Sequence, residues 1–190
     1  VEGEQSLFII VSAMGKTTNA LERVFAHMQN GRKEEANEEI RQIQAYHAEI
    51  IDDLWGEHTD INEVTLLFGQ LRNIVNDIVY RSMDAELWYD TIVAYGELIS
   101  TTIISKYLNH IGMRNRWIDM RTTLLTNQRH KDANVDIKAS KHRLRASIEN
   151  TGVGVFVGQG FIGGAPDGTT TTLGREGSDY SAAVVAHILN

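Results

Sequence analysis

The sequence has no cysteine, a single proline and no apolar run near the roughly 18 residues that cross a bilayer. Without cysteine, disulfides and thiolate chemistry are excluded, which fits a reducing compartment, so we expect a cytoplasmic location. The start, Val-Glu-Gly-Glu-Gln, lacks the basic residues that open a signal peptide. These absences favour a soluble protein without a membrane partner.

Basic residues are also in the minority: the sequence has 18 lysines and arginines but 25 acidic residues, so the net charge is -7. The cations are scattered, and an acidic protein repels a phosphate backbone, so we do not expect a nucleic-acid partner. A nucleotide is still compatible with this charge, because backbone N–H groups and one or two cations can hold its phosphates locally.

Histidines are present but give no metal-binding pattern. The seven histidines are widely separated and show no ligand spacing, so we interpret them as surface or packing residues and predict no metal site in the chain.

Hydrophobic periodicity predicts one α/β domain. Short apolar runs at 7–11, 116–120 and 153–157 indicate strands, and the Gly- and Thr-rich residues 152–177 indicate a loop system. Helical spacing of apolar residues predicts helices at 18–28, 34–55, 61–80, 87–111, 137–150 and 178–189. The alternation favours a sandwich with a mainly parallel sheet, into which a helical segment at about 34–80 is inserted.

The most informative stretch is 169–183, which places two glycines and Arg175 directly before a helix that begins near Ser178. Free backbone N–H groups and the positive end of the helix dipole then meet at one point, which is typical of an anion site. Arg175 could pair with a carboxylate or a phosphate, and Asp179 could orient an ammonium group. The alternative is a capped helix with a solvated arginine.

Two further strand ends carry candidate ligand loops. Gly158-Gln-Gly-Phe-Ile-Gly163 follows a predicted buried strand, where glycines allow close approach of a ligand, although tight turns would also explain them. Ser12 and Thr18 lie in a hydroxyl-rich loop that ends like a P-loop, but the motif's first glycine would fall on Ile10. We therefore predict a substrate loop there instead.

Glu97 is a carboxylate beside a glycine within a largely apolar predicted helix. It could hold a substrate amine, or it could be an ordinary exposed charge. The spacing alone leaves both interpretations open.

Taken in order, these segments resemble the aspartate kinases of the amino acid kinase family. The similar pieces are Val-Ser-Ala-Met-Gly-Lys-Thr-Thr-Asn, Tyr-Gly-Glu-Leu-Ile-Ser, Trp-Ile-Asp-Met-Arg, Gly-Gln-Gly-Phe-Ile-Gly and Thr-Thr-Thr-Leu-Gly-Arg-Glu-Gly-Ser-Asp-Tyr, at 11–19, 95–100, 117–121, 158–163 and 170–180. The resemblance implies a three-layer α/β/α sandwich, with L-aspartate and ATP meeting above the carboxyl ends of parallel strands.

The resemblance also implies a role for each candidate residue. Arg175 would hold the α-carboxylate of aspartate, Glu97 its ammonium group, and Asp179 would act as the catalytic residue that organises the reacting groups. Thr18, Phe161 and Ser178 would complete the substrate pocket. The residues expected to face the nucleotide phosphates are Gly158, Gly160, Gly163, Thr172 and Gly174. Mg²⁺ would be held through the ATP phosphates, and we expect a homo-oligomer.

Two family features do not occur in the sequence. The family's first strand carries Lys-Phe-Gly-Gly-Thr-Ser, and its later segments bind adenine and form regulatory ACT domains; neither is present. We therefore expect residues 1–190 to be an incomplete catalytic domain that is inactive by itself. Another amino acid kinase and a non-catalytic binding or assembly module stay open as alternatives. The hypothesis predicts that Thr18, Glu97, Arg175, Ser178 and Asp179 meet in one cleft.

Overall fold

The computed structural model describes residues 6–57, 59–77 and 84–190. The strands in this part of the chain are β1 (Leu7–Val11), β2 (Arg116–Ile118), β3 (Val155–Gln159), β4 (Ile162–Gly164) and β5 (Thr170–Thr172). The helices are α1 (Thr17–Gln29), α2 (Lys33–Trp55), α3 (Asn62–Asn76), α4 (Ala85–Val93), α5 (Tyr95–His110), α6 (Met120–Thr123), α7 (Ile137–Ile148) and α8 (Gly177–Leu189).

The central sheet has three parallel strands in the order β1-β3-β2. Val157 of β3 pairs with Ile9 on one side and with Trp117 on the other. Such short strands, rich in β-branched and aromatic residues, are suited to a parallel sheet that is covered on both faces. The predicted parallel sheet is confirmed.

Helices cover both faces of this sheet. Helices α1 to α5 share one apolar core, while α7 and α8 pack in a second core with Phe156. Successive side chains of a strand point to opposite faces, so Trp117 packs on the first core and Ile118 belongs to the second. The result is the predicted α/β/α sandwich.

The helical pair α2 and α3 packs against the helices that flank the cleft described below. Helix α2 lies against α1 and α3, and α3 lies against α5. Ile40, Ile43 and Ile51 of α2 recur at helical spacing and are buried, as the sequence predicts. Residues 78–80 of the third predicted helix lie outside the described residues. That this pair is an insertion stays a prediction.

Three predicted elements differ from the structure. The single helix predicted at 87–111 is two helices, α4 and α5, that meet at Ala94. The strand predicted at 116–120 ends at Ile118, because Asp119 caps α6 by accepting the N–H of Arg121. The strand predicted at 153–157 runs two residues later, as β3.

The loop system predicted at 152–177 also contains regular structure. Strands β4 and β5 form an antiparallel pair, in which Gly163 faces Thr171. Glycine is disfavoured in strands and three-residue strands leave little periodicity, so this hairpin could not be recognised from the pattern.

None of the helices within the described ranges combines the length and the apolarity needed to span a membrane.

Candidate active site

A cleft of about 400 Å³ opens where β1 and β3 end. The N–H of Gly160, just after β3, donates to the carbonyl oxygen of Val11 at 2.9 Å and so joins the two strand ends. Ligands of open α/β sheets bind at this edge. The cleft is lined by Ser12, Ala13, Gly15, Thr18, Glu97, Phe161, Gly174, Glu176, Gly177, Ser178 and Asp179.

The first turns of two helices border the cleft, Thr18 in α1 and Ser178 with Asp179 in α8. The first N–H groups of a helix have no acceptor within it, and no described side chain caps either helix by a hydrogen bond. The positive ends of both helix dipoles therefore face the same space, which favours a bound anion.

Glu97 supplies a carboxyl group, which carries the opposite charge when it is ionised. Its side chain is only 2% exposed, and Oε1 accepts the N–H of Ala13 at 3.2 Å. Its other oxygen, Oε2, is buried without a hydrogen-bond partner among the described residues. Burial raises the pKa of Glu97 to about 8, and the hydrogen bond from Ala13 opposes this rise. The interpretation as an exposed charge is therefore excluded.

Hydrogen bonds to the sheet fix the helix that carries Glu97. The hydroxyl of Ser100 donates to the carbonyl oxygen of Ser12 at 2.8 Å. The side chains of Gln159 and Trp117 both donate to the hydroxyl oxygen of Thr101, each at 2.9 Å. Helix α5 is thus tied to three strands or strand ends, so the position of Glu97 is set by buried polar contacts as well as by apolar packing.

Two lining residues adopt a backbone conformation that non-glycine residues rarely take. Phe161 has φ 64° and Glu176 has φ 57°. Phe161 is held there because its N–H donates to Ser181 Oγ at 3.0 Å, and it packs closely on Gly177, where a Cβ would lie 2.7 Å from the ring. Such strained residues concentrate at ligand sites.

The structure brings most of the predicted substrate residues together. The cleft is lined by Thr18, Glu97, Phe161, Ser178, Asp179 and Gly174. Arg175 lies between Gly174 and Glu176 in the bordering turn, but its side chain is exposed and is not part of the lining. It forms no ion pair or hydrogen bond within the described ranges.

The other residues predicted to face the nucleotide phosphates are not among those that line this cleft, and their role stays a prediction. Gly158, Gly160 and Gly163 are buried, and a Cβ on them would meet Phe8, Ser178 and Leu124 respectively, each at 2.8 Å or less. These glycines allow close packing of protein on protein. Thr172 is fully buried, and both its N–H and its hydroxyl donate to Asp90.

Several lining residues were not among the predicted site residues. Ala13, Gly15, Glu176 and Gly177 lie inside the segments that carry the family resemblance, which is the signal that could have identified them. Asp90 was also missed. The signal for it is an acidic residue within the apolar run Leu87-Trp-Tyr-Asp-Thr-Ile-Val93.

The sequence matches the model of a known protein family. The model of the amino acid kinase family matches residues 2–190. The chain belongs to the amino acid kinase family.

Within this family, the chain is similar to curated aspartokinases. It is 30% identical over 183 residues to lysine-sensitive aspartokinase 3 of Escherichia coli, covering 96% of this chain and 40% of that protein. It is 27% identical over 193 residues to an aspartokinase of Chlamydia trachomatis, covering 99% of this chain and 41% of that protein. The chain thus spans about 40% of the length of these relatives.

The fold agrees with a solved member of the family. The chain superposes with a TM-score of 0.83 on E. coli aspartokinase III in complex with aspartate and ADP, at 28% identity, over 96% of this chain and 40% of that chain. The amino acid kinase fold inferred from the sequence is therefore confirmed.

Proposed function

We propose that this amino acid kinase chain is the aspartate-binding part of the catalytic domain of an aspartate kinase. The whole enzyme would transfer the γ-phosphoryl group of ATP to the β-carboxylate of L-aspartate and form 4-phospho-L-aspartate, the first step toward lysine, threonine and methionine. It would work in the cytoplasm as a homo-oligomer. The similarity to aspartokinases supports this proposal.

The observation that carries the proposal is the vacant hydrogen-bonding capacity of Glu97 at the cleft. A buried polar atom without a partner is costly, so Oε2 is suited to a ligand that brings its own donor. The ammonium group of an amino acid brings three donors and a positive charge. Once it binds, Glu97 is stabilised in its charged form, which offsets the cost of burial.

The opposite wall suits the carboxylates of aspartate. The N–H groups of Ser178 and Asp179 lie at the start of α8, where the helix dipole favours an anion. Arg175 would turn its exposed guanidinium into the cleft to pair with the α-carboxylate, and its neighbours Gly174 and Glu176, with φ 75° and 57°, already line that space. Together these groups match a zwitterion that carries an additional carboxylate.

The chemical step needs positioning and charge neutralisation. A β-carboxylate oxygen attacks the γ-phosphorus in line, a new P–O bond forms, and the bond to the leaving ADP oxygen breaks. Asp179, in the first turn of α8, would orient the reacting groups. The described residues contain no cluster of three metal-ligating side chains. Mg²⁺ would be held through the ATP phosphates, as the family resemblance implies.

The test is an assay of the full-length gene product that contains this chain, purified from a host without its own aspartate kinase. We expect ATP-dependent formation of an acyl phosphate, trapped as a hydroxamate, with L-aspartate but not with L-glutamate or N-acetyl-L-glutamate. Product formation with another acceptor alone would assign the chain to a different amino acid kinase. A complete lack of phosphoryl transfer would contradict the proposal.

A further inference from the structure

Asp90 of α4 is a fully buried carboxylate that lies outside the cleft. It accepts the N–H and the hydroxyl of Thr172 at 3.0 and 2.6 Å. It also accepts the N–H of Lys131 at 3.0 Å, and its Oδ2 lies 3.0 Å from Nδ1 of His130. A carboxylate can only accept, so four protein donors converge on this one side chain.

These bonds join three separate segments of the chain. Helix α4 carries Asp90, strand β5 ends at Thr172, and Lys131 belongs to the segment that leads toward α7. The N–H of Ala133 from that segment donates to the carbonyl oxygen of Thr172 at 2.9 Å, which secures the strand end from a second side.

The strand end that Asp90 holds leads directly into the wall of the cleft. Leu173 follows Thr172, and its N–H donates to the carbonyl oxygen of Phe161 at 2.8 Å. The next five residues, 174–178, include Arg175 and end at Ser178 in the first turn of α8. On the other side, Asp90 lies seven positions before Glu97, which α5 places in the same cleft.

We propose that Asp90 is a positioning residue, which fixes the segment 173–178 against α4, the helix directly before the one that carries Glu97, and so sets the spacing between the two walls of the substrate cleft. This rests on the proposed function only in naming the substrate as L-aspartate. A buried carboxylate with four donors has one well-defined arrangement, so movement of β5 away from α4 would leave several buried groups unpaired.

The chain offers a matched control for this role. Thr171 is fully buried next to Thr172 in β5, but its hydroxyl faces the other way and bonds to the hydroxyl of Thr126 at 2.7 Å. Replacing either threonine by valine removes one buried hydroxyl of the same strand. Only the change at Thr172 removes a bond to Asp90.

The experiment compares Thr172→Val, Thr171→Val and Asp90→Asn in the full-length gene product. For Thr172→Val we expect the KM for L-aspartate to rise about tenfold, the effect of one lost hydrogen bond to a charged group. For Asp90→Asn we expect at least this rise, because a donating amide nitrogen replaces an oxygen that accepts more than one bond. The KM for ATP should change much less. Thr171→Val should leave both constants near their wild-type values, and Thr172→Ser, which keeps the hydroxyl, should restore the KM for aspartate.

A second measurement does not depend on the reaction. Hydrogen exchange of the Leu173 and Gly177 amides should become faster in Thr172→Val and in Asp90→Asn than in Thr171→Val. Equal exchange in the two valine variants, or an equal rise of the aspartate KM in both, would overturn the positioning role. If the wild-type protein does not phosphorylate aspartate, the proposed function fails, and the exchange rates alone then decide the role of Asp90.

Discussion

The region around Asp90 and the region around Glu97 each contain a buried carboxylate, on two consecutive helices. The two carboxylates differ in how many hydrogen bonds they accept. Asp90 accepts four protein donors, whereas Glu97 accepts one and keeps Oε2 free of described partners. Burial raises the pKa of both, and for Asp90 the bonds from Thr172, Lys131 and His130 oppose the rise. A filled set of partners indicates a structural role, and an unfilled one indicates a place for a ligand.

The largest effect on stability should come from removing Asp90, the carboxylate with a full set of hydrogen-bond donors. Asp90→Ala leaves several buried donors unpaired, so we expect the free energy of unfolding to fall by at least about 3 kcal/mol, measured by chemical denaturation. Among the described residues, Glu97→Ala unpairs the N–H of Ala13, and it should cost about 1 kcal/mol. A larger loss for Glu97→Ala than for Asp90→Ala would contradict the comparison.

The next effect concerns Arg175, the cation that borders the cleft but is not among the described residues that line it. In the full-length gene product, Arg175→Ala should raise the KM for aspartate and lower kcat/KM roughly tenfold to a hundredfold, since a charge-assisted bond is lost. Arg175→Lys should recover only part of the lost kcat/KM, because an ammonium cannot reproduce the planar fork of a guanidinium. A rise of the ATP KM alone would make Arg175 a phosphate ligand.

The smallest effect, over the single pH unit between pH 6 and pH 7, is a pH dependence that belongs to Glu97. Its pKa rises from an ordinary 4.5 to about 8 on folding, so between these pH values the folded state holds a proton that the unfolded state releases. Stability from this group is therefore lost as the pH rises through this window, by at most about 1.4 kcal/mol per pH unit.

The Glu97→Gln variant isolates this contribution, because its amide does not titrate. Denaturation at pH 6 and pH 7 should show a steeper decline of stability for the wild type than for the variant. Saturating L-aspartate should reduce the difference in slope, because its ammonium group favours the charged carboxylate. Parallel curves in the absence of aspartate would show that the pKa of Glu97 is not raised.

Much of the fold could be predicted from local patterns. The spacing of Ile40, Ile43 and Ile51 in α2, and the apolar run of β1, place these elements correctly because each buries a regular face or strand. The hairpin of β4 and β5 could not be found in this way, because each strand has only three residues, two of them glycines in β4, and so shows little periodicity. The break at Ala94 was missed because apolar residues continue through it.

The two glycine-rich stretches show the same limit of local patterns for the site. A Cβ at position 158, 160, 163 or 174 would lie within 2.9 Å of another part of the chain, but of these four only Gly174 has a positive φ, 75°, and lines the cleft. Composition treats these positions alike. Which of these glycines lines the cleft depends on neighbours that only the folded chain supplies.

The sequence by itself determined the parallel sheet, because local periodicity carries that information, and its motifs carried the resemblance to the amino acid kinase family. Only the tertiary structure decided that Glu97 is buried with a free oxygen, that Arg175 lies outside the cleft lining, and that Thr172 bonds to Asp90. Burial and hydrogen-bond pairing arise between segments far apart in sequence, such as Ala13 and Glu97, which are 84 positions apart, and no local pattern encodes them.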